Sequence, residues 1–139
     1  MPFPRDEVER AFATTREAQD HEDWSAYADC FTEDAVYVEH QFGTMRGREA
    51  IRAWLVPIME QCRGWTFPTE WLVIDGDRLV FKWWNRLPGR REDGGFYEFA
   101  GVTTMVYAGS GRFSFQEDVY NFEETKKVLE DWSAARGSA

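Results

Sequence analysis

Two side chains in the sequence, His40 and Asp118, could act together in proton transfer. His40 lies at the end of one stretch, and Asp118 lies within another, in which apolar and polar residues alternate as they do in a β-strand. Every second side chain of a strand points to the same face, so His40 shares a face with Val36 and Val38. If that face is the inner one, an imidazole lies in an apolar recess. Its ordinary pKa of about 6.5 suits acid/base chemistry near neutral pH.

Asp118 can meet that imidazole only if it points to the inner face of its own predicted strand, residues 113–120. We favour the register in which Asp118 faces inward with Gln116 and Tyr120, whereas the opposite register buries Glu117. A carboxylate that accepts from one ring nitrogen would fix the tautomer of His40 and raise the basicity of the other nitrogen. Such a pair could remove a proton next to a carbonyl, activate a water or protonate a leaving hydroxyl. General acid/base catalysis of this kind raises the reaction rate by ~10²–10⁴-fold. The alternative is a core histidine satisfied by a structural aspartate.

Aromatic residues make up 17% of the chain, with seven Trp among them. So much flat apolar area in a small domain predicts a pocket, a subunit interface or both. The residues expected to contact a flat apolar ligand are Trp24, Tyr27, Phe42, Trp54, Ile58, Trp83, Asn85 and Tyr120. Core packing is the alternative role of the apolar ones. Tyr27 and Tyr120 could also donate to an oxyanion, and Asn85 could bind a polar substrate group or satisfy strand-end backbone.

Hydrophobic spacing predicts the elements that hold these side chains. Helical spacing is found at residues 6–19, 24–31 and 49–62, and Asn121 with Glu124 forms a capping box for a last helix. Strands are predicted at residues 34–40, 67–74, 79–87, 96–107 and 113–120, and turns at residues 32–34 and around Gly43. The turns between the last four strands are too short for crossovers. We therefore predict an α+β roll, in which a strongly curved, mixed but mostly antiparallel sheet carries helices on its concave face and encloses a conical cavity.

Length and composition indicate a single domain over residues 1–139, with a disordered tail at about residues 134–139. The net charge of −9 argues against nucleic acid as a partner, because phosphates require a basic surface. No apolar run resembles a signal peptide or a membrane span, so the expected location is the cytoplasm. Cys30 and Cys62 are interpreted as reduced core thiols. Because no phosphate-binding loop or metal-ligand spacing is evident, we expect no cofactor and no metal.

Three segments carry a resemblance to a known family: FTEDAVYV at residues 31–38, residues 43–52 ending in GREAIR, and QEDVYN at residues 116–121. On these segments the chain resembles the SnoaL-like branch of the nuclear-transport-factor-2-like superfamily, and the similarity extends over nearly its whole length. The resemblance implies the cone-shaped α+β fold. The superfamily includes ketosteroid isomerase, limonene epoxide hydrolase, scytalone dehydratase and polyketide cyclases, beside members that only bind or assemble, so fold alone does not imply function.

The resemblance also implies roles for single residues. Segment 38–40 corresponds to the place of the isomerase's general-base carboxylate, and His40 would be the base here. Asp118 matches the carboxylate that is the base in the epoxide hydrolase and the acid/base in the cyclases. Asn85 falls near the acidic member of the hydrolase's charged pair, and Trp83 stands where that enzyme has arginine. The tyrosine and second acid of the isomerase's oxyanion hole have no evident match.

The sequence therefore predicts a cofactor-independent acid/base enzyme of cyclase, isomerase or dehydratase type. Its substrate would be a small, mainly apolar, cyclic organic molecule, and a His40–Asp118 dyad would transfer the proton. A non-catalytic ligand-binding or assembly protein is the alternative, and an epoxide hydrolase is a third option. If Asp118 faces inward, Phe113 and Phe115 lie on the convex face of the sheet, which predicts a homodimer through that face. We expect no membrane partner, because no apolar run is long enough to span a bilayer.

Overall fold

The structure, a computed structural model, describes residues 2–137, which form four helices and six strands. In chain order the elements are α1 (Arg5–Asp20), α2 (Trp24–Asp29), β1 (Phe31–Glu39), β2 (Gly43–Arg46), α3 (Arg48–Glu60), β3 (Thr69–Asp75), β4 (Arg78–Arg90), β5 (Phe96–Gly109), β6 (Arg112–Tyr120) and α4 (Phe122–Gly137). Within residues 2–137, no helix has both the length and the apolar character that crossing a membrane requires.

The six strands form one sheet in the order β2-β1-β6-β5-β4-β3. Strands β3 to β6 are antiparallel neighbours, as their short connecting turns require. Strand β1 pairs with β6 in parallel and with β2 antiparallel, so the N-terminal strands extend the sheet beyond β6. This topology confirms the predicted α+β class with a mixed, mostly antiparallel sheet.

The helices and the inner face of the sheet share one apolar core, to which α1, α2 and α3 contribute Phe12, Trp24 and Leu55. Strand β5 is buried at every second residue from Tyr97 to Tyr107, so one of its faces packs inside and the other is partly exposed. The pairing of β4, β5 and β6 is interrupted by register shifts. Such irregularities bend strands, and a bent sheet leaves space on its concave side.

Gly101 brings the indole of Trp83 against the backbone of β5. The two residues are register partners on β5 and β4. A Cβ atom at Gly101 would lie only 2.2 Å from Cζ2 of Trp83, so no other residue fits without displacing the ring. The indole N–H donates to Oγ1 of Thr103 at 2.7 Å, which fixes the ring on the inner face.

The first strand begins earlier than predicted. Phe31 and residues 32–34 belong to β1 and not to a helix and a turn. The backbone N–H of Phe113 donates to the carbonyl of Cys30 at 2.7 Å, and this contact ties the start of β1 to β6. The region around Gly43 is strand β2, which pairs with β1 as a hairpin. Long-range pairing therefore decides the structure where local spacing indicates helix and turn.

The last helix has the predicted start. The side-chain oxygen of Asn121 accepts a hydrogen bond from the backbone N–H of Glu124 at 3.2 Å, which is the N-cap half of the expected capping box. The helix continues to Gly137, whereas the sequence predicts a disordered tail from residue 134. Residues 138–139 of that tail lie outside the described residues.

Candidate functional site

The concave face of the sheet and the four helices enclose a cavity of about 340 Å³. This volume lies in the range of sites that bind small organic molecules. Aromatic residues are the largest group in its wall: Trp24, Tyr27, Tyr37, Phe42, Trp54, Trp65, Phe67, Phe81, Trp83, Phe99 and Tyr120. The cavity therefore offers flat apolar surfaces that match a ring better than a long polar chain.

The predicted ligand contacts all line this cavity. They are Trp24, Tyr27, Phe42, Trp54, Ile58, Trp83, Asn85 and Tyr120. Asp118 lines the cavity as well, whereas His40 does not. The buried indole N–H of Trp54 has no hydrogen-bond partner within residues 2–137. Because buried donors are normally paired, this N–H is a candidate donor to a ligand.

Asp118, on β6, receives three hydrogen bonds at the cavity wall. Oγ1 of Thr103 donates to Oδ1 at 2.7 Å, and Nε2 of Gln116 donates to the same oxygen at 3.0 Å. The hydroxyl of Tyr37 donates to Oδ2 in a short hydrogen bond. A carboxylate has about four acceptor positions. The three bonds therefore hold the carboxylate in place and leave one position on Oδ2.

The donors to Asp118 are held by further hydrogen bonds that point in the same direction. The hydroxyl of Tyr27 donates to Oε1 of Gln116 at 2.9 Å and accepts from the guanidinium of Arg16 at 3.2 Å. Nε2 of Gln116 also donates to the hydroxyl oxygen of Tyr37 at 3.0 Å. From Arg16 through Tyr27 and Gln116 to Asp118, each residue thus donates a hydrogen bond to the next one. Hydrogen bonds that are aligned in this way strengthen one another by polarisation.

Burial raises the pKa of Asp118 above its ordinary value. The hydrogen bonds from Gln116, Tyr37 and Thr103 oppose this shift, and so does the positive charge of Arg16. Burial and, next, the charge of Asp118 raise the pKa of Tyr37 well above its ordinary value, so the phenol stays protonated and remains a donor. A carboxylate with a raised pKa is a stronger proton acceptor than one in water.

A second carboxyl group, that of Glu39, lines the same cavity and is only 6% exposed. Glu39 and Asp118 are register partners on β1 and β6, so their side chains lie next to each other on the inner face. The hydroxyl of Tyr120 donates to Oε2 of Glu39 at 2.8 Å, and the backbone N–H of Gln41 donates to Oε1 at 2.8 Å. Burial raises the pKa of Glu39. Two carboxyl groups with different partners could divide an acid and a base role between them.

The structure corrects the prediction of a His40–Asp118 dyad. The side chain of His40 is 60% exposed, and its Nε2 lies 2.7 Å from Oε2 of Glu117 on the outer side of the sheet. Strand β1 has the reverse of the expected parity, because Ala35, Tyr37 and Glu39 are buried while Val36 and Val38 are only partly buried. The imidazole therefore has no access to the cavity from its place after β1.

The cause of the wrong parity is that valine favours strands on either face of a sheet. Val36 and Val38 therefore did not identify the inner face. A better signal is present in the polar residues, since both strands carry hydrogen-bonding side chains at alternate positions. Those positions are Tyr37 and Glu39 on β1, and Gln116, Asp118 and Tyr120 on β6.

On β6 the inward orientation of Asp118 agrees with the favoured register, since Gln116 is 4% exposed and Val119 is 54% exposed. Phe113 does not follow that register, because it is fully buried and not on the convex face. The pairing of β5 and β6 shifts next to Tyr107, its register partner, and this irregularity turns the phenylalanine inward.

The potential metal ligands and the two thiols of the chain all lie within residues 2–137. In the described range, no three His, Cys, Asp or Glu side chains are grouped so that they could hold a metal ion. Cys30 and Cys62 are free thiols, the first buried and the second partly buried. Burial raises the pKa of Cys62 to about 11, so this thiol, which lines the cavity, is a poor nucleophile at neutral pH.

Comparison with known proteins identifies relatives of this fold. A family model described as a SnoaL-like domain matches residues 8–114. An LEH-like epoxide hydrolase from M. tuberculosis is similar in structure, with 18% sequence identity, a TM-score of 0.74 and coverage of 96% of this chain and 98% of that one. TerC, co-crystallised with polyporic acid, has 15% identity and a TM-score of 0.72 over 89% of this chain and 98% of its own.

A third solved structure, from Shewanella denitrificans, is named as a candidate SnoaL-like polyketide cyclase. It has 19% identity and a TM-score of 0.69 over 89% of this chain and 97% of its own. The search of curated proteins finds no match. At these levels of identity the structural similarity shows a common fold and not a common reaction.

Proposed function

The chain belongs to the SnoaL-like family, and on that premise we propose that it is a cofactor-independent acid/base enzyme with Asp118 as its proton acceptor. The observation that carries the proposal is the carboxylate of Asp118 at an apolar cavity wall, held by three donors with one acceptor position left. The substrate is a small, mainly apolar, cyclic organic molecule, because aromatic side chains are the largest group in the wall.

The proposed step is removal of a proton from carbon next to a carbonyl group. The C–H bond breaks, the proton moves to Oδ2 of Asp118, and the electron pair forms an enolate. Glu39, whose pKa burial also raises, returns a proton to the product or to a leaving hydroxyl, which departs as water. Asp118 then loses its proton to solvent and Glu39 takes one up, which restores both groups. This division of roles suits a cyclase, an isomerase or a dehydratase.

A non-catalytic ligand-binding protein is the second candidate. The observation that favours it is the same set of three hydrogen bonds, since they could serve only to satisfy a structural carboxylate. Epoxide hydrolysis is supported less well, because the donor that the resemblance implies for the opening oxygen has no counterpart at its place in this chain. The indole N–H of Trp83, at the place where the resemblance implies an arginine in the hydrolase, is already engaged by Thr103.

We also propose that a second copy of the chain covers the outward face of the sheet. On β3, Trp71 and Val73 are 42% and 57% exposed on this face, and on β6 Val119 is 54% exposed and Phe115 is partly exposed. Val80 on β4 and Val102 on β5, both partly exposed, lie on the same face between these two strands. Contiguous apolar area of this kind is unusual on a monomer. Sedimentation velocity should give a dimer for the wild type and a monomer for Val119→Glu, and a monomeric wild type would contradict the dimer.

A carboxylate base in an apolar cavity can be tested without the natural substrate. In 5-nitrobenzisoxazole, a base removes the ring C–H proton, the N–O bond breaks, and a coloured phenolate forms. We expect the wild type to catalyse this elimination and Asp118→Asn to lower the rate by ~10²–10⁴-fold. Glu117→Gln is the matched control, because it alters the neighbouring carboxylate on the outer face. Equal rates in the wild type and Asp118→Asn would reject Asp118 as the base and favour the ligand-binding candidate.

A further inference from the structure

Arg16, on α1, is the single cationic side chain among the described residues that line the cavity. Its guanidinium lies 4.9 Å from the ring centre of Phe12 and 4.7 Å from that of Phe81. These two rings hold the charge at a fixed place through cation–π contacts. The positive charge is therefore a built feature of the cavity wall and not a solvated surface group.

Within residues 2–137, the oxygens that accept hydrogen bonds from Arg16 are all neutral. Nε donates to Oγ1 of Thr15 at 3.2 Å, Nη1 to Oε1 of Gln19 at 3.4 Å, and Nη2 to the hydroxyl of Tyr27 at 3.2 Å. A guanidinium has five N–H donors, so two remain. By contrast, Arg52 on α3 has a carboxylate oxygen at 2.6 Å.

A cation in an apolar place is costly when no anion accompanies it. No carboxylate within residues 2–137 forms an ion pair with Arg16; its charge acts on Asp118 from a distance, and the hydrogen bonds that link the two groups run through Tyr27 and Gln116. The planar fork of a guanidinium matches the two oxygens of a carboxylate. The remaining donors of Arg16 thus fit an anionic oxygen brought by a ligand.

We propose that Arg16 forms an anion-binding subsite and that the natural ligand is a cyclic organic acid whose carboxylate binds there while its ring lies among the aromatic side chains. The proposal rests on the proposed function in taking this cavity as the ligand site, but it does not depend on catalysis. The apolar wall selects the ring, and Arg16 selects the charge at one end of it.

The experiment compares two probes of the same shape, 2-naphthoate and 2-naphthamide, by titration calorimetry at neutral pH. We expect the wild type to bind the acid roughly 10- to 100-fold more tightly, the range given by a hydrogen-bonded charge pair. Arg16→Gln should remove this preference and leave the amide affinity unchanged. Arg10→Gln is the matched control, because Arg10 lies on the exposed side of the same helix and pairs with Asp6.

Equal affinity of the wild type for the two probes, or binding of neither, would overturn the proposal. So would an Arg16→Gln variant that loses both probes equally, because Arg16 would then only balance the charge of Asp118 or support the fold. Arg16→Lys, which keeps the charge but not the fork, should retain part of the preference and gives a second test if Arg16→Gln is unstable. Asp118→Asn should keep the preference for the acid. Loss of turnover without loss of that preference separates the subsite from the catalytic proposal.

Discussion

The two faces of the β1–β6 ladder carry similar residue types and differ in what surrounds them. On the inner face, Glu39 and Asp118 lie next to each other in the cavity, and tyrosine hydroxyls donate to both. On the outer face, Nε2 of His40 lies 2.7 Å from Oε2 of Glu117, and the two side chains are 60% and 34% exposed. The two carboxylates of β6, Glu117 and Asp118, are adjacent in sequence and point to opposite sides.

Environment, more than residue type, determines the chemistry of the side chains on these two strands. Histidine is the usual candidate for proton transfer near neutral pH. Here the exposed imidazole of His40 faces solvent, where water screens its pairing with Glu117. Burial raises the pKa of the inner carboxyls of Asp118 and Glu39, and it is these groups that meet a cavity. The comparison can be tested by changes that affect one face only.

The largest effect is expected from Gly101→Ala on the inner face. Its Cβ atom would lie 2.2 Å from the ring of Trp83, and the bond from that ring to Thr103 leaves it little freedom to move. Overpacking of this kind lowers the free energy of unfolding by ~1–3 kcal/mol, and urea denaturation should show a loss near the upper end of this range. Ala100→Ser changes the adjacent, partly exposed residue and should alter the stability by less than about 0.5 kcal/mol. Equal losses in the two variants would mean that the faces do not differ in packing.

Tyr37→Phe should have the next largest effect. The change removes one donor to Asp118 and the acceptor of one Gln116 N–H, and both groups remain in a buried network. Loss of a hydrogen bond to a charged group costs ~1.5–3 kcal/mol of unfolding free energy. Tyr97→Phe is the matched control, because the hydroxyl of Tyr97 has no hydrogen-bond partner in the described part of the chain. A Tyr37→Phe variant as stable as Tyr97→Phe would show that the network is loose.

His40→Ala should have the smallest effect. The change removes the contact of His40 with Glu117 at the surface, and even a charged pair at such a place contributes only ~0–1 kcal/mol. Turnover of 5-nitrobenzisoxazole should stay at the wild-type rate, since the imidazole does not line the cavity. Thermal unfolding and initial rates measured on the same preparation check both expectations. A large loss of rate at unchanged stability would restore the histidine to the mechanism.

The sequence predicts the fold better than it predicts the site. Helical and alternating patterns identify α1, α3, α4 and strands β3 to β6, since each pattern is local. The parallel pairing of β1 with β6 joins residues far apart in the chain, and no local pattern reports it. The cavity wall follows from aromatic content, and all eight predicted wall residues line it.

The partners of Asp118 depend on which face of β1 points inward. Because the sequence analysis assigned the wrong face, it placed His40 beside Asp118 where the structure has Tyr37 and Glu39. Side-chain period along a strand is two, so a shift by one residue moves every group to the other face. Arg16 was missed for a different reason. An arginine on an amphipathic helix is usually a solvated group, and only the structure brings it over Phe12 and Phe81.

The pH dependence of probe turnover tests the assignment of Asp118 most directly. A carboxylate base acts only when it is ionised, so the rate should rise with pH through the pKa of Asp118, which burial places above its ordinary value. We predict the same rise and midpoint in the wild type and in His40→Ala, and no such rise in Asp118→Asn. A rise that persists in Asp118→Asn, or that disappears in His40→Ala, would contradict the account.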